Sequence, residues 1–291
     1  MAPPPRLSNC FIPAVADADA SDANYSSKSV PTTTDDDDLR PIRIQTNILP
    51  SAAGSALVQH GNSHVLCSVI GPTASQVIQK QQVPLDVDKG TLLVEVKYLL
   101  PPLQQLQPNA DSSSTELNAQ QQNRHFHQAM QHMEQQLSQQ VLACVQPILP
   151  LHTFPKSAIT VRIDVWHNDD ENLLTTALLA AVTALATTRG MELYNLVTAC
   201  TVAVLDDGRL ILDPPAVLPC SGNTAVVGSV TLAVVPPSSV CSWEQQGRIP
   251  TPMAASALQL CREGCQRWHK VLRSYLVQQA KQKQQEQQQQ Q

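Results

Sequence analysis

The chain has 291 residues, of which 42% are hydrophobic and only 3% aromatic, so its core must be built mainly from aliphatic side chains. Residues 1–38 contain seven Asp against Arg6 and Lys28, and this segment therefore carries the whole net charge of −5. The remaining body has no net charge, which does not by itself indicate nucleic-acid binding; any RNA contact would have to come from a local patch or from partners. The apolar runs are too short and too interrupted by polar residues to cross a bilayer, so we expect no membrane contact.

The eight cysteines indicate neither disulfides nor a metal site. Cys67, Cys144 and Cys200 lie inside apolar runs, where a free cysteine acts as a small hydrophobic residue. Cys261 and Cys265 are one helical turn apart, but no second pair accompanies them. We therefore expect a reducing intracellular compartment, and the N-terminus shows no secretory signal.

Three segments are too polar to form part of a core. Residues 1–38 are rich in Pro, Ser, Thr, Ala and Asp, and we expect a disordered acidic tail. Residues 103–122 are rich in Gln, Ser and Asn, which predicts a mobile loop. Residues 281–291 are a Gln-rich tail.

The first half of the body begins with short strands. Residues 39–50, 54–61 and 63–72 are apolar runs separated by glycine-containing turns, and residues 91–100 form a fourth run that Pro101 ends. A helix is predicted from about residue 123 to residue 145. Its apolar stripe repeats every three or four residues: Phe126, Met130, Met133, Leu137, Val141 and Val145.

A central strand and helix follow at residues 157–190. Ile159, Val161, Ile163 and Val165 alternate with polar residues, as in a half-buried strand. After a polar turn at 167–172 comes a run of Leu, Ala, Val and Thr that is apolar on every side. Such a helix is typical of the centre of a domain, and Gly190 ends it.

The second half repeats the alternation of strands and a helix. Residues 193–205 and 209–215 are predicted to form a hairpin around Asp207-Gly208, and residues 224–235 and 238–243 two further strands. A long helix begins at Thr251. Its predicted buried stripe contains Ala257, Cys261, Cys265, Trp268, Leu272 and Tyr275. The order ββββ–α–β–α–ββββ–α predicts one α+β domain at 39–280, with halves at 39–190 and 191–280.

The segments LRPIRIQTNILPSAAGSALVQHGNSHVLCSVIGP, MELYNLVTACTVAVLDDGRLILDP and TAVVGSVTLAVVP occur in an order that resembles the RNase PH family. The resemblance covers roughly residues 39–280. It implies the RNase PH-like fold (ribosomal protein S5 domain 2-like), with mixed sheets covered by helices. Within the family, the chain is most similar to the RNase PH-like ring subunits of the eukaryotic RNA exosome.

That resemblance also implies a set of partners and a place in the cell. The partners would be other RNase PH-like subunits in a six-membered ring, S1/KH cap subunits, and single-stranded RNA passing through the assembled channel. The processes would be rRNA processing and mRNA decay, in the nucleus and nucleolus and also in the cytoplasm. No cofactor is expected.

The family's phosphorolytic chemistry needs an anion cradle, typically Asp-Gly-Gly-Thr-Arg at the start of the central helix, where the glycines admit phosphate to backbone N–H groups. Here the matching residues are Asp170, Glu171, Asn172, Leu173 and Leu174, so the glycines, the Thr and the Arg are all replaced. At about 4 Å the extra carboxylate of Glu171 would repel phosphate by roughly 1–4 kcal/mol.

Active members also carry several acids after the Leu-Asp of the second hairpin, for metal binding and acid catalysis. Asp213 matches the first acid, but residues 214–243 contain no Asp or Glu. The Arg-rich sequence that would hold RNA before the first helix is also missing, since residues 101–123 contain no Lys or Arg. The sequence therefore predicts a degenerate site with no catalytic residue. An active phosphate-dependent 3′-exoribonuclease and a free-standing homo-oligomeric binding protein are the alternatives.

Two further readings of the charged residues stay open. One interpretation is a metal site formed by His167, Asp169, Asp170 and Glu171, whose side chains are of the types that bind metals. Four residues in one turn cannot all converge on one ion, however. Capping of the helix by Asp169 or Asp170 is the simpler interpretation, and we predict no metal. The candidate RNA-binding residues, with ordinary surface charge as the alternative interpretation, are Arg40, Arg43, Lys97 and Arg124.

Overall fold

The computed structural model describes residues 10–12, 39–74, 88–99, 116–168, 173–215, 226–237 and 239–289. The strands are β1 (Cys10–Ile12), β2 (Ile42–Thr46), β3 (Gly54–His60), β4 (Ser63–Ala74), β5 (Thr91–Tyr98), β6 (Ser157–His167), β7 (Thr198–Leu205), β8 (Leu210–Leu212), β9 (Val226–Val235) and β10 (Ser239–Gly247). The helices are α1 (Glu116–Val145), α2 (Leu174–Thr187) and α3 (Thr251–Gln289), with short 3₁₀ helices at Gln146–Ile148 and Leu151–Thr153.

The strands of the first half form one mixed sheet. Within the described residues its order is β1-β2-β3-β4-β6-β5, and all pairs are antiparallel except β5 with β6. Strand β6 lies between β4 and β5. Its alternating sequence has the predicted effect: Ile163 and Val165 are buried on one face, whereas Asp164 faces the other way. The chain passes from β5 to its parallel partner β6 through a long connection that contains α1, because parallel strands cannot be joined by a tight turn.

The strands of the second half form a separate antiparallel sheet, with the order β10-β9-β7-β8 in the described part of the chain. Helix α2 packs between the two sheets, against β3 and β4 on one side and β7 on the other. Residues 174–185 are all buried, which confirms the prediction of a helix at the centre of the domain. Helix α3 covers the far face of the second sheet, and its predicted stripe from Ala257 to Tyr275 is buried.

The predicted boundaries differ from the structure where polar residues were read as loops. Residues 116–122 belong to α1 and not to a mobile loop, because Glu, Leu, Ala and Gln all favour a helix and neither Pro nor Gly interrupts them. The Gln-rich end likewise continues α3 as far as Gln289 for the same reason. Residues 103–115 lie outside the described residues.

Two further expectations need correction. The tail 1–38 was expected to be disordered throughout, but residues 10–12 pair with β2 as a short antiparallel strand; the rest of the tail lies outside the described residues. Helix α2 begins at Leu174 with Leu173 as its N-cap residue, so neither Asp169 nor Asp170 holds the predicted capping position. No helix in the described part of the chain is long and apolar enough to cross a membrane.

Candidate functional site

The candidate site lies where β6 ends and α2 begins. Residues 169–172, and with them the predicted positions Asp170, Glu171 and Asn172, lie outside the described residues. Leu173 and Leu174 are described: they are 4% and 1% exposed and belong to the core between the sheets. Their aliphatic side chains therefore pack inward and present no hydrogen-bond donor to a ligand.

A cleft of about 120 Å³ opens beside these residues. Asn168 and Leu173 line it from the two ends of the connection, Tyr98 from the end of β5, and Glu244 from β10. The described residues that line it include neither Lys nor Arg. A phosphate in this cleft would meet a carboxylate and no cationic side chain among these residues, which is unfavourable in a partly desolvated site.

Hydrogen bonds orient the carboxylates around this cleft. Gln136 Nε2 and Gln140 Nε2, both on α1, donate to the carboxylate of Glu244 at 3.2 and 2.6 Å. The backbone N–H of Tyr98 donates to Glu134 at 3.0 Å. Burial, together with the neighbouring Glu134, raises the pKa of Tyr98 to about 12, so its hydroxyl remains a neutral hydrogen-bonding group. The described polar side chains of the cleft are thus the Tyr98 hydroxyl, amides and one carboxylate, none of which carries a positive charge that would hold an anion.

The second predicted acid, Asp213, is buried and fully engaged. It follows β8, is 3% exposed, and has a φ of 54°, a left-handed conformation that Asp tolerates better than most residues. Arg40 Nη2 donates to its Oδ1 at 2.7 Å, and the backbone N–H of Arg40 donates to its Oδ2 at 3.2 Å. His60 Nε2 lies 2.7 Å from the same Oδ2. Both carboxylate oxygens therefore already have partners within the protein.

These contacts join distant elements of the fold. His60 ends β3 in the first sheet, and its Nδ1 lies 3.0 Å from Thr176 Oγ1 on α2. The ring of Trp268, on α3, meets the His60 ring edge-on at a centroid distance of 5.1 Å. We call Arg40, His60, Thr176 and Asp213 the inter-sheet polar cluster. It connects both sheets and the central helix at a buried position.

The charges of this cluster favour an ionised Asp213. Burial by itself would raise the pKa of Asp213, but the adjacent His60 and Arg40 outweigh that effect and hold the pKa well below its usual range. A carboxyl group held in this way is poorly suited to donate a proton during a reaction. The geometry thus gives Asp213 a structural role in holding the two sheets together.

His60 was not singled out in the sequence, although a signal was present. On β3, Ala56 and Val58 face the core, and His60 has the same parity, so the alternation places an ionisable side chain in the interior. A buried polar side chain requires a partner. The partner itself, Asp213, could not be identified from the alternation.

Of the four predicted RNA-binding residues, the three whose side chains are described do not form one patch. Arg40 belongs to the inter-sheet polar cluster and its side chain is only 16% exposed. Arg43 is half-buried on β2 beside Gln59, whereas Lys97 is exposed on β5 beside Asp164. Strands β2 and β5 are separated by three strands, or about 19 Å at the usual spacing between strands. Arg124 lies in α1, and its side chain is outside the described residues.

No cluster of three or more His, Cys, Asp or Glu residues converges on a possible metal position within the described ranges. The buried cysteines are also poor nucleophiles, since burial raises the pKa of Cys144 and of Cys261 to about 12. The described residues therefore show no metal centre and no activated thiol next to the cleft.

Comparison of the sequence with known protein families identifies the family of this chain. A model of the 3′ exoribonuclease family, domain 1 (RNase PH), matches residues 38–190, which is more than half of the chain. The chain belongs to this RNase PH family. The sequence-based recognition of the family is thereby confirmed.

Relatives within the RNase PH family include exosome components. The chain is 28% identical to the exosome complex component Rrp41 of Thermococcus kodakarensis over 179 residues, which is 60% of each protein. It is 26% identical to the human exosome complex component MTR3 over 268 residues, 88% of this chain and 89% of that protein. The chain thus spans less than two thirds of the first relative and most of the second.

Solved structures confirm the RNase PH-like α+β fold. The crystal structure of rice (Oryza sativa) Rrp46 superposes with a TM-score of 0.63 at 20% identity, covering 84% of this chain and 98% of that one. The Archaeoglobus fulgidus exosome with RNA bound to the active site superposes with a TM-score of 0.59 at 17% identity, covering 81% and 89%. Because the sequence identities are this low, the structural similarity shows a shared fold and nothing more.

Proposed function

We propose that this chain is a structural, non-catalytic subunit of an exosome core ring. It helps to shape the channel for single-stranded RNA and holds neighbouring subunits. The observation that carries the proposal is the burial of Leu173 and Leu174, at 4% and 1% exposure, in the positions that match the phosphate-binding Thr and Arg of active family members. Two core leucines cannot hold the phosphate that phosphorolysis consumes.

Two other features support the same conclusion. The cleft at this end of α2 is lined by Glu244 and by no cation among its described residues, so the local electrostatics oppose an incoming phosphate. Asp213, the one acid that matches the family's catalytic stretch, is engaged by His60 and Arg40. Each feature removes a different requirement of the reaction: phosphate binding in the first case, and a free acid in the second.

Incubation of the purified chain with single-stranded RNA, inorganic phosphate and Mg²⁺ tests the proposal. We expect no release of nucleoside diphosphates under conditions in which an active RNase PH family member degrades the same RNA. The Glu171→Arg variant is the control for contamination, because a contaminating nuclease acts equally in both preparations. Phosphate-dependent release by the wild-type chain above that of the Glu171→Arg variant would overturn the proposal.

The proposed partners are other RNase PH-like subunits in a six-membered ring, with S1/KH cap subunits above it. The segments Met-Glu-Leu-Tyr-Asn-Leu (191–196) and Glu-Gly-Cys-Gln-Arg (263–267) resemble the mRNA-transport-regulator subunit, and the alignment with human MTR3 extends over 88% of this chain. Strand β10 is an edge of its sheet within the described residues, and Trp243 near its middle is 57% exposed. An exposed tryptophan on an edge strand is a candidate contact for a neighbouring subunit.

Co-expression with candidate ring subunits tests this assembly. We expect the isolated chain to self-associate or to be poorly soluble, and a stoichiometric ring to form with its partners. A monodisperse monomer that binds no RNase PH-like subunit would contradict the assignment. A role in rRNA processing and mRNA decay further predicts a tagged chain in the nucleus, the nucleolus and the cytoplasm, which fluorescence microscopy of cells that express the assembled ring can check.

A further inference from the structure

A second cleft, of about 630 Å³, lies at the opposite end of β6 from the candidate site. Its floor is formed by Pro147, Leu149 and Leu151, between α1 and β6, together with Val240 of β10. Lys89 and His152 supply polar groups at its rim. A concave, mostly apolar cleft with a few polar groups has the general character of a ligand site.

An exposed pair of rings adjoins this cleft. Tyr194 is 65% exposed, the highest value among the exposed large hydrophobic side chains of the described residues, in a chain with only 3% aromatic residues. Its ring lies nearly parallel to that of His152, at 13°, with the ring centroids 6.4 Å apart. Tyr194 Oη is 3.4 Å from His152 Nδ1. The aromatic face is thus presented to solvent beside the cleft.

The backbone holds both sides of the cleft in place. The N–H of Tyr194 donates to the carbonyl of Ile148 at 2.9 Å, and the side chain of the next residue, Asn195, donates to the carbonyl of Pro236 at 2.8 Å. On the other side, the N–H of Gly90 donates to the carbonyl of Leu151 at 2.8 Å, which positions the adjacent Lys89. The backbone segments that carry Tyr194 and Lys89 are therefore held in place, which lowers the entropic cost of ordering them on binding.

We propose that this second cleft binds one nucleotide of single-stranded RNA, with its base stacked on Tyr194 and its phosphate near Lys89. An exposed aromatic ring, here beside a cleft that a cation lines, is the kind of group on which proteins stack the bases of single strands without sequence preference. The inference rests on the proposed function, since RNA reaches the cleft only if it passes over the assembled ring. It adds a contact outside the candidate site, in a cleft with its own set of lining residues.

Stacking, more than charge, contributes the binding energy at this cleft. Asp88 precedes Lys89 and Glu192 lies two residues before Tyr194, so the carboxylates nearby offset the positive charge of Lys89. We therefore expect a contact that is tolerant of sequence and only weakly dependent on salt. A partner protein seated on Tyr194 is the competing occupant, and the crosslinking experiment below distinguishes it from RNA.

Photo-crosslinking of the assembled ring tests the site. Single-stranded RNA that contains 4-thiouridine is bound to the ring, irradiated, and the modified peptides are identified by mass spectrometry. We expect a crosslink within the segments that hold His152 and Tyr194. Tyr194→Ala should weaken RNA binding by the ring about fivefold or more, whereas Tyr194→Phe, which keeps the ring, should leave it unchanged.

A salt titration adds a second readout. Lys89→Ala should reduce the salt slope of RNA binding by about 0.7, the value of one phosphate contact on a single strand. The inference is overturned if the ring binds RNA normally but gives no crosslink here and Tyr194→Ala has no effect. It is also overturned if Tyr194→Ala dissociates the ring, since Tyr194 would then belong to a protein interface. Neither result bears on the absence of nuclease activity, which the diphosphate assay tests separately.

Discussion

Replacing Asp213 by Asn gives the sharpest test of the inter-sheet polar cluster. Asn has the same shape and also tolerates the left-handed φ of 54° at this position, so the substitution removes the charge without straining the backbone. It leaves Arg40 and His60 facing a neutral amide. The stability change therefore reports on the charge of Asp213.

We expect Asp213→Asn to lower the free energy of unfolding by about 3 kcal/mol at neutral pH. Removing one partner of a buried ion pair costs about 3–5 kcal/mol, because the remaining charge stays desolvated. The lower end of that range applies here, since the Arg40 side chain is 16% exposed and can regain some water. The Asn side chain also keeps an oxygen that can accept a hydrogen bond.

The effect should depend on pH in a defined direction. The pKa of Asp213 is lower in the folded chain than in the unfolded one, so unfolding in acid takes up a proton. The contribution of Asp213 is therefore complete above the unfolded pKa of about 3.9 and is lost as the pH falls below it, by at most about 1.4 kcal/mol per pH unit. The difference between the wild type and Asp213→Asn should shrink in the same window.

Urea unfolding followed by tryptophan fluorescence measures both effects. Trp268 is fully buried against His60 and reports on the cluster directly. Asp207→Asn is the matched control, since Asp207 lies on the adjacent β7–β8 turn and pairs with Arg209 at 2.6 Å, but in solvent. We expect this control to leave the unfolding midpoint unchanged.

The reasoning is refuted if Asp213→Asn and Asp207→Asn have the same unfolding midpoint at neutral pH. It is also refuted if the wild type and Asp213→Asn lose stability in parallel as the pH falls from 5 towards 2. Either result would mean that the buried carboxylate contributes no more than a surface ion pair.

Three further predictions follow from the packing and the surface. Gly264→Ala should destabilise the chain by about 1–3 kcal/mol, although Ala favours helices, because the new Cβ would lie 2.6 Å from Cys200 Sγ. Adding Cys200→Ala should recover part of that lost stability in the same urea assay. Cys241 should react with iodoacetamide at pH 8 before Cys67, Cys144, Cys200, Cys261 and Cys265, because those five thiols are buried. Mass spectrometry shows the order, and faster labelling of one of the five buried thiols would contradict the prediction. Arg43→Glu with Lys97→Glu should weaken RNA binding by the assembled ring and flatten its salt dependence if these residues line the RNA path, and unchanged affinity would place the path elsewhere. Arg40 is left intact in that variant because its loss would disrupt the inter-sheet polar cluster.

The sequence by itself determined the elements whose pattern depends on local backbone geometry. The 3.6-residue repeat of α3 predicted a stripe from Ala257 to Tyr275 that the structure buries, and the alternation at 157–165 predicted β6. The apolar composition of α2 indicated a helix surrounded by protein, which the structure confirms. The order of these segments was enough to recognise the family. Periodicity did not predict the polar ends of α1 and α3, because Gln continues each helix there without an apolar stripe.

Only the tertiary structure decided which polar side chains meet. Asp213 lies 153 positions from His60 and 173 from Arg40, and no local repeat relates residues at such separations. Arg40 resembles a surface cation in the sequence, but the packing of the two sheets turns it towards a buried carboxylate. Leu173 and Leu174 were recognised as replacements in the sequence, but their burial in the core depends on where α2 packs between the sheets. Contacts of this kind follow from the three-dimensional arrangement of the elements, because the backbone geometry that sets each element does not specify its neighbours.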